Sequence, residues 1–127
     1  MPAALNVIHT PSAPAAIGPY SQAIAVNGLV YTSGQIAIDP ATGSIDAKTI
    51  EAQTEQVIAN LKAVLEAAGS DLTKVVKTTC FLQSMGDFAA FNAVYEQYFT
   101  GKPARSCVEV SKLPKGALVE IEVTAVI

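Results

Sequence analysis

Two segments near the C-terminus, residues 103–110 and 118–127, alternate between apolar and polar side chains with the two-residue period of a β-strand. In the first segment Arg105 and Cys107 share one face, and valines lie mainly on the other. In the second segment one face is apolar along its whole length, and the opposite face carries Glu120 and Glu122. Both segments are therefore predicted to be strands with chemically distinct faces.

Between these strands, residues 113–116 contain the Pro and Gly that are typical of a turn, which predicts an antiparallel hairpin. If burial brings the two apolar faces to one side, Arg105 and Cys107 must share the other side with Glu120 and Glu122. A guanidinium, a thiol and two carboxylates would then form one polar patch, which is the first candidate for a functional site. An ordinary cross-strand ion pair between Arg105 and Glu120 explains the same pattern equally well.

Apolar residues at helical spacing, with Thr49 at the N-cap and Gly69 just past the end, predict a helix over residues 49–68. A second helix, capped by Asp87, is predicted over residues 88–100. Further strands are predicted at residues 5–9, 23–26, 29–38 and 76–82, with the Asn27-Gly28 pair as a hairpin turn.

The order strands, helix, strand, helix, strands predicts one α+β domain over residues 1–127, with about six strands in a mixed sheet. Two helices can cover one face only of a sheet this wide. The charged fraction of the chain is 15%, where about a quarter is usual for soluble domains. Both observations predict that the second face of the sheet is buried against other copies of the chain.

Composition also argues against several classes of protein. The net charge of −3, with dispersed cationic residues, argues against a nucleic-acid surface. No apolar run approaches the roughly 20 residues of a membrane span. The N-terminal segment lacks the basic region followed by an apolar region that is typical of a signal peptide, so a cytoplasmic protein is expected. The two cysteines, Cys80 and Cys107, match no metal-ligand spacing and are expected to be free thiols.

Several single positions have both a functional and a structural interpretation. Gly34, inside a predicted strand, marks either a bulge or a close ligand approach. Tyr20, beside a Gly-Pro turn, is either a site residue or a half-buried turn tyrosine. Asn92 can serve a site or satisfy a neighbour. His9, the single histidine, is expected to be a solvated edge residue rather than a general base, and Cys80 a small core residue.

Several short motifs together resemble the RidA/YjgF family of reactive-intermediate deaminases, which is also labelled endoribonuclease L-PSP. The motifs lie at residues 15–22, 32–35, 56–69, 76–79, 91–95, 102–110, 113–115 and 119–122. Each motif is weak alone, but their joint order and spacing along nearly the whole chain is specific. One departure is the segment 98–102, which is slightly shorter than the equivalent loop in many relatives.

The resemblance implies a chorismate-mutase-like fold and a homotrimer whose sheets face inward, with three clefts between subunits. It implies hydrolysis of 2-imino acids, such as 2-iminopropanoate and 2-iminobutanoate, to 2-keto acids and ammonia, without a metal or another cofactor. The family's carboxylate-binding arginine corresponds to Arg105, its water-positioning glutamate to Glu120 and its cleft cysteine to Cys107. Its other cleft positions are matched by Tyr20, Ser33, Gly34 and Asn92.

The chemistry of these residue types agrees with that activity. Arginine binds a planar carboxylate through two parallel hydrogen bonds and stays charged. An imine carbon is already electrophilic, so hydrolysis requires orientation, a placed water and proton transfer. Since the single histidine is distant in sequence, a Cys/His nucleophile has weak support, and Cys107 is expected to form a pocket wall and to offer a backbone donor.

Two other classes of function use the same features. A regulatory module or protein-interaction factor can bind 2-keto or 2-imino acids in the same cleft without turnover. An endoribonuclease or translation inhibitor is a label that some relatives bear, and the acidic pI and the lack of a basic patch argue against it.

Overall fold

A six-stranded mixed sheet with two α-helices on one face forms the fold of residues 4–127, which the computed structural model describes. The elements in chain order are β1 (Asn6–Ile8), β2 (Ala23–Val26), β3 (Leu29–Thr32), β4 (Ile38–Asp39), β5 (Ser44–Ile45), α1 (Ile50–Ala67), β6 (Val75–Leu82), α2 (Phe88–Tyr98), β7 (Ala104–Glu109) and β8 (Val119–Val126). The main sheet has the order β1-β2-β3-β8-β6-β7, and β4 and β5 form a separate ribbon. The predicted α+β class and sheet size are confirmed.

The predicted hairpin between the two C-terminal strands is wrong. β6 lies between β7 and β8, parallel to β7 and antiparallel to β8. The parallel pair arises because α2 carries the chain from the end of β6 back to the start of β7, as parallel strands require a crossover connection. The segment 113–116 is part of the connection from the edge strand β7 to β8, and it contains a short 3-10 helix, Pro114–Gly116.

The register of β6 decides which side chains share a face, because residues opposite one another on paired strands point the same way. Cys80 lies opposite both Cys107 and the buried Ile121, so Cys107, and with it Arg105, faces the helices. Phe81 lies opposite both Val108 and Glu120, so Glu120 faces the other side. The predicted single patch and the alternative Arg105–Glu120 ion pair are therefore both wrong within one chain.

Local signals predicted the helices well. The Thr49 Oγ1 atom accepts a hydrogen bond from the Ala52 N–H at 3.1 Å, and Gly69 adopts a φ of +83°, as a helix end requires. The second helix begins at Phe88 as predicted, but it ends at Tyr98. Asp87 makes no side-chain capping bond there, and a 3-10 helix, Met85–Asp87, leads into α2 instead.

The strand predicted over residues 29–38 is too long, because β3 ends at Thr32. The chain then leaves the sheet, except for a bridge between Gln35 and Ile121. Asn60 of α1 holds this segment by donating its Nδ2 hydrogens to the carbonyl oxygens of Ile36 and Ile38, at 3.1 and 2.9 Å. The segment is thus bonded to both β8 and α1, and it lines a cavity.

The two faces of the sheet differ strongly in burial. The helix-covered face carries the core, including Val30, Cys80 and Ile121, which are fully buried. The open face exposes large apolar side chains, among them Tyr31 and Val108, each 46% exposed. Between residues 4 and 127, no helix has both the length and the apolar composition that crossing a bilayer would require.

Candidate functional site

The predicted site residues fall into two groups, one on each face of the sheet. Tyr20, Ser33, Gly34 and Glu120 line one cavity of about 400 Å³, named here the Glu120 cavity. Arg105 and Asn92 line a second, more open cavity of about 710 Å³, named here the Arg105 cavity. Cys107 lies two residues from Arg105 on the same face of β7.

The Glu120 cavity is formed where the chain leaves the sheet after β3. Ser33 is fixed there because its Oγ–H donates to the Ser21 carbonyl oxygen at 2.6 Å, and its N–H donates to the Gln22 carbonyl oxygen at 2.9 Å. Tyr20 is exposed at the edge of the cavity. The cavity wall is completed by apolar side chains such as Ile17 and Ile36, so it combines a carboxylate with an apolar lining.

The close approach of the Glu120 side chain explains why residue 34 is a glycine. A Cβ atom built on Gly34 would lie 2.1 Å from Oε2 of Glu120, far inside van der Waals contact. A bulge and a ligand contact were the two interpretations of Gly34, and the structure adds a third. The absence of a side chain at Gly34 makes room for the Glu120 carboxylate.

The Glu120 carboxyl group is half-buried in this setting. Burial raises its pKa above the ordinary value for glutamate, and the nearby negative charge of Glu122 raises it further. A carboxylate with a raised pKa is a better proton acceptor than an ordinary surface glutamate. It is therefore suited to hold a water molecule and to take a proton from it.

In the Arg105 cavity, the guanidinium lies between β7 and α2. Its Nη1 atom donates to Oδ1 of Asn92 at 2.6 Å, and Cζ lies 4.7 Å from the ring centroid of Tyr95 and 5.5 Å from that of Phe88. All buried side-chain nitrogen and oxygen atoms of residues 4–127 have hydrogen-bond partners. The guanidinium nitrogens that make no bond must therefore reach solvent, where they can bind an anion.

The structure confirms that Cys80 is a core residue, and the role expected of Cys107 stays a prediction. Cys80 is fully buried in the core, where burial raises its pKa to about 12. Cys107 is half-buried, and burial raises its pKa as well, although the Arg105 charge opposes that shift. Both thiols are free. His9 follows β1, at the opposite edge of the sheet from β7, so it cannot pair with Cys107 within one chain.

Two residues near the site were missed by sequence reasoning. Lys115 lines the Glu120 cavity and has a left-handed backbone, with φ of +55°. The Pro-Lys pair within the motif at residues 113–115 was the available signal for it. Tyr95 was assigned to the core as part of an aromatic stripe, and although it is buried its ring faces the guanidinium of Arg105.

Comparisons with known proteins place this geometry in a family. The profile described as Endoribonuclease L-PSP matches residues 10–127. A RutC family protein of Synechocystis is 55% identical over 126 residues, which cover 97% of this chain and 97% of that protein. The 2-iminobutanoate/2-iminopropanoate deaminase of Salmonella typhimurium is 50% identical over 125 residues, which cover 95% and 97%.

Solved structures agree with the sequence relatives. A protein of unknown function of the conserved Rid family from Yersinia pestis has a TM-score of 0.95 at 55% identity, covering 98% of this chain and 100% of that chain. The protein described here therefore belongs to the endoribonuclease L-PSP family, which includes proteins named RutC and Rid. The resemblance drawn from the motifs is confirmed, and one relative of this chain bears the name of an imine deaminase.

Proposed function

We propose that this protein hydrolyses 2-imino acids, such as 2-iminopropanoate and 2-iminobutanoate, to 2-keto acids and ammonia. The observation that carries the proposal is Arg105, whose guanidinium is held by Asn92 and still offers N–H donors to an open cavity. Such a group suits the carboxylate that all 2-imino acids share. The name of the Salmonella relative supports the same activity.

We further propose that the complete site forms between subunits of a homotrimer. Arg105 and Glu120 lie on opposite faces of one sheet, so a single chain cannot present both to one small substrate. The exposed apolar side chains of the open face, such as Tyr31 and Val108, favour its burial against another subunit. Packing of this kind can bring the Glu120 cavity of one subunit beside the Arg105 cavity of the next.

In the proposed reaction, Arg105 binds the substrate carboxylate and presents the imine carbon to a water held by Glu120. The substrate reacts as its N-protonated iminium ion. The water oxygen bonds to the imine carbon as Glu120 takes one water proton, and the C=N π electrons move to nitrogen and neutralise its charge, which gives a tetrahedral 2-amino-2-hydroxy acid. Glu120 then gives that proton to the amine nitrogen, and the C–N bond breaks as the hydroxyl oxygen forms the C=O bond. The hydroxyl proton passes through Glu120 to the departing ammonia, which leaves as ammonium and restores the carboxylate.

The other predicted residues have supporting roles in this proposal. Tyr20, Ser33 and Gly34 shape the cavity around Glu120, with Gly34 leaving space for the carboxylate. Cys107 lines neither of the two cavities within one chain, and we propose that it joins the pocket wall and offers its backbone N–H where two subunits meet. Its raised thiol pKa disfavours a covalent role, because the thiolate is the nucleophilic form. We propose a cytoplasmic location, which suits the two free thiols.

The test is a coupled assay in which a pyridoxal-phosphate-dependent dehydratase releases 2-iminobutanoate into a semicarbazide solution. Semicarbazide traps the imine as a semicarbazone, and imine hydrolysis competes with trapping. We expect the protein to lower the rate of semicarbazone formation in proportion to its concentration, while 2-oxobutanoate accumulates. Saturable binding of 2-oxobutanoate without any effect on trapping would instead indicate a regulatory binding protein.

A further inference from the structure

We infer that Tyr95 and Asn92 are positioning residues that together hold the Arg105 guanidinium ready for a carboxylate. The contacts of Tyr95 and Asn92 with Arg105 are named here the clamp, and the geometry alone supports it. The identity of the substrate rests on the proposed function. Two elements meet at this point, since Tyr95 and Asn92 belong to α2 and Arg105 belongs to the edge strand β7. An edge strand with a long charged side chain needs such support if the side chain is to keep one orientation.

The aromatic half of the clamp is the ring of Tyr95. The Cζ atom of Arg105 lies 4.7 Å from its centroid, within the range of a cation–π interaction. The ring of Phe88 contributes more weakly, at 5.5 Å. A guanidinium stacked on an aromatic face can still donate hydrogen bonds in its own plane. The clamp therefore restricts Arg105 without using up its donors.

The Tyr95 ring is itself firmly held. Its hydroxyl group shares a 2.8 Å hydrogen bond with the fully buried hydroxyl of Thr78, and Thr78 lies directly opposite Arg105 in the β6–β7 register. The ring also stacks on Phe99, with centroids 4.4 Å apart, and contacts Phe91 at 5.5 Å. Because Tyr95 is only 7% exposed, these contacts leave it little freedom.

The polar half of the clamp is Asn92, one turn before Tyr95 on α2. Its Oδ1 atom accepts the hydrogen bond from Nη1 of Arg105 at 2.6 Å. This is the single side-chain hydrogen bond that Arg105 makes to the described residues, and a guanidinium has five N–H donors. Asn92 thus fixes one end of the fork and leaves the rest for a ligand. In this role it acts through Arg105 rather than through direct contact with substrate.

The chain offers an unusually clean test, because Arg105 is its only arginine. Labelling with ¹⁵N-arginine gives one Nε–Hε cross-peak in the spectrum of the assembled protein, and that peak reports the guanidinium directly. A proton above an aromatic face is shielded by the ring current. We expect Tyr95→Leu to move the Hε resonance downfield, and Tyr95→Phe, which keeps the ring, to leave it near its original position.

Kinetics supply a second readout. A poorly oriented Arg105 weakens carboxylate binding in the ground state and the transition state alike, which raises KM with little change in kcat. We expect Tyr95→Leu and Asn92→Ala each to raise KM for 2-iminobutanoate about tenfold. Tyr95→Phe should restore KM to within about threefold of the parent, even though it loses the Thr78 hydrogen bond and lowers Tm.

Val94→Ala is the matched control, since it also truncates a buried side chain of α2, and Val94 makes none of the ring or hydrogen-bond contacts that hold Tyr95 and Arg105. It should lower Tm as Tyr95→Leu does, and leave KM and the Hε resonance unchanged. An unmoved resonance or an unchanged KM in folded Tyr95→Leu would overturn the inference. If Tyr95→Leu does not fold, unchanged KM in Asn92→Ala, whose side chain is half-buried, overturns it instead.

The two proposals fail separately. A parent protein that does not hydrolyse 2-iminobutanoate contradicts the proposed function, and the Nε–Hε spectra then still decide whether Tyr95 holds Arg105. Conversely, an active parent whose Arg105 signal and KM do not respond to Tyr95→Leu keeps the function and loses the clamp.

Discussion

At the scale of single residues, Arg105 combines a fixed position with an accessible charge. It is held by one hydrogen bond and two aromatic rings, and its free nitrogens reach solvent. Glu120, on the other face of the sheet, has a raised pKa and a glycine beside its carboxylate. A carboxylate binder and a proton acceptor are the two groups that hydrolysis of an imino acid needs most.

Replacing Arg105 with alanine should remove most of the activity and little of the stability. Loss of one partner of a desolvated charge pair costs roughly 2–5 kcal/mol, and about 3 kcal/mol corresponds to a fall of about a hundredfold in kcat/KM. Arg105→Lys should also be badly impaired, because an ammonium group lacks the planar two-point geometry. Imine hydrolysis and Tm are measured on both variants, and parental activity in Arg105→Ala would remove Arg105 from the site.

Cys107→Ser is expected to keep substantial activity. Burial raises the pKa of the Cys107 thiol, so the nucleophilic thiolate is scarce at neutral pH, and His9 lies at the opposite edge of the sheet. The variant should therefore hydrolyse 2-iminobutanoate within about tenfold of the parent rate, well above Arg105→Ala. A folded, trimeric Cys107→Ser protein that is as inactive as Arg105→Ala would restore the covalent interpretation.

The activity should also depend on pH through Glu120. Only the ionised carboxylate can accept a proton, and because its pKa is raised, kcat/KM should fall on acidification at a higher pH than an ordinary glutamate would give. Glu122→Gln removes the second cause of the raised pKa and should move this acid limb to lower pH, while the effect of burial remains. The check is a pH profile of kcat/KM for the parent and the variant.

The same pKa shift sets the sign of the effect on stability. A raised pKa in the folded state means that folding favours the protonated form of Glu120. Its contribution to stability is therefore greatest below the unfolded-state pKa and is lost as pH rises through the raised value.

The control for the pH profile of kcat/KM is Glu66→Gln, an exposed change on α1, which should leave the acid limb of the profile where it is. An identical shift of the acid limb in Glu122→Gln and in Glu66→Gln would contradict its assignment to Glu120.

At the scale of elements, the end of β3 packs against β8 through Gly34 and Glu120 rather than through a continued strand. Gln35 bridges to Ile121 by backbone hydrogen bonds in both directions, at 2.9 and 3.1 Å, and this bridge holds Gly34 against the start of β8. Asn60 fixes the following residues to α1. The position of the Glu120 carboxylate therefore depends on how three elements meet.

Gly34→Ala should reduce activity more than stability. The added Cβ would collide with Oε2 of Glu120, which is the far end of a flexible side chain and can move away at modest cost. The displaced carboxylate can no longer place the water, so we expect a fall of at least about tenfold in kcat with a small change in Tm. Gly86→Ala, whose Cβ would meet only Oγ of Ser84, is the matched control. Full activity in folded Gly34→Ala would contradict the role of Glu120.

At the scale of the whole molecule, the open face of the sheet and the two separated cavities have one common explanation. The proposed trimer would bury the exposed apolar side chains and would also join the Arg105 and Glu120 cavities. We expect light scattering at micromolar concentration to give three times the 13.2 kDa mass of one chain. A monomer mass would defeat both the trimer and the shared cleft.

A charge on the open face tests the link between assembly and activity. Tyr31→Glu places a carboxylate in the proposed interface, so we expect dissociation and loss of imine hydrolysis with little change in the circular dichroism spectrum. Ala59→Glu adds the same charge at an exposed position on α1 and should stay trimeric and active. A Tyr31→Glu monomer that retains full activity would show that one chain suffices.

The sequence alone determined what depends on near neighbours in the chain. Thr49 and Gly69 marked the ends of α1 because capping bonds and a positive φ are local requirements. The Asn27-Gly28 turn was recognised for the same reason, and both residues have positive φ. The motifs, each a short, continuous stretch, also singled out six of the residues that line the two cavities: Tyr20, Ser33, Gly34, Asn92, Arg105 and Glu120.

Only the tertiary structure decided which of these residues lie together. Alternation in residues 104–109 defines two faces but not their direction. The register of β7 on β6, in which Arg105 lies opposite the buried Thr78, turns Arg105 toward the helices. As β7 is an edge strand, its valine face could stay exposed, and the rule that the apolar side faces the core failed there. Strand pairing joins residues distant in sequence, so no local pattern could place Arg105 and Glu120 on opposite faces.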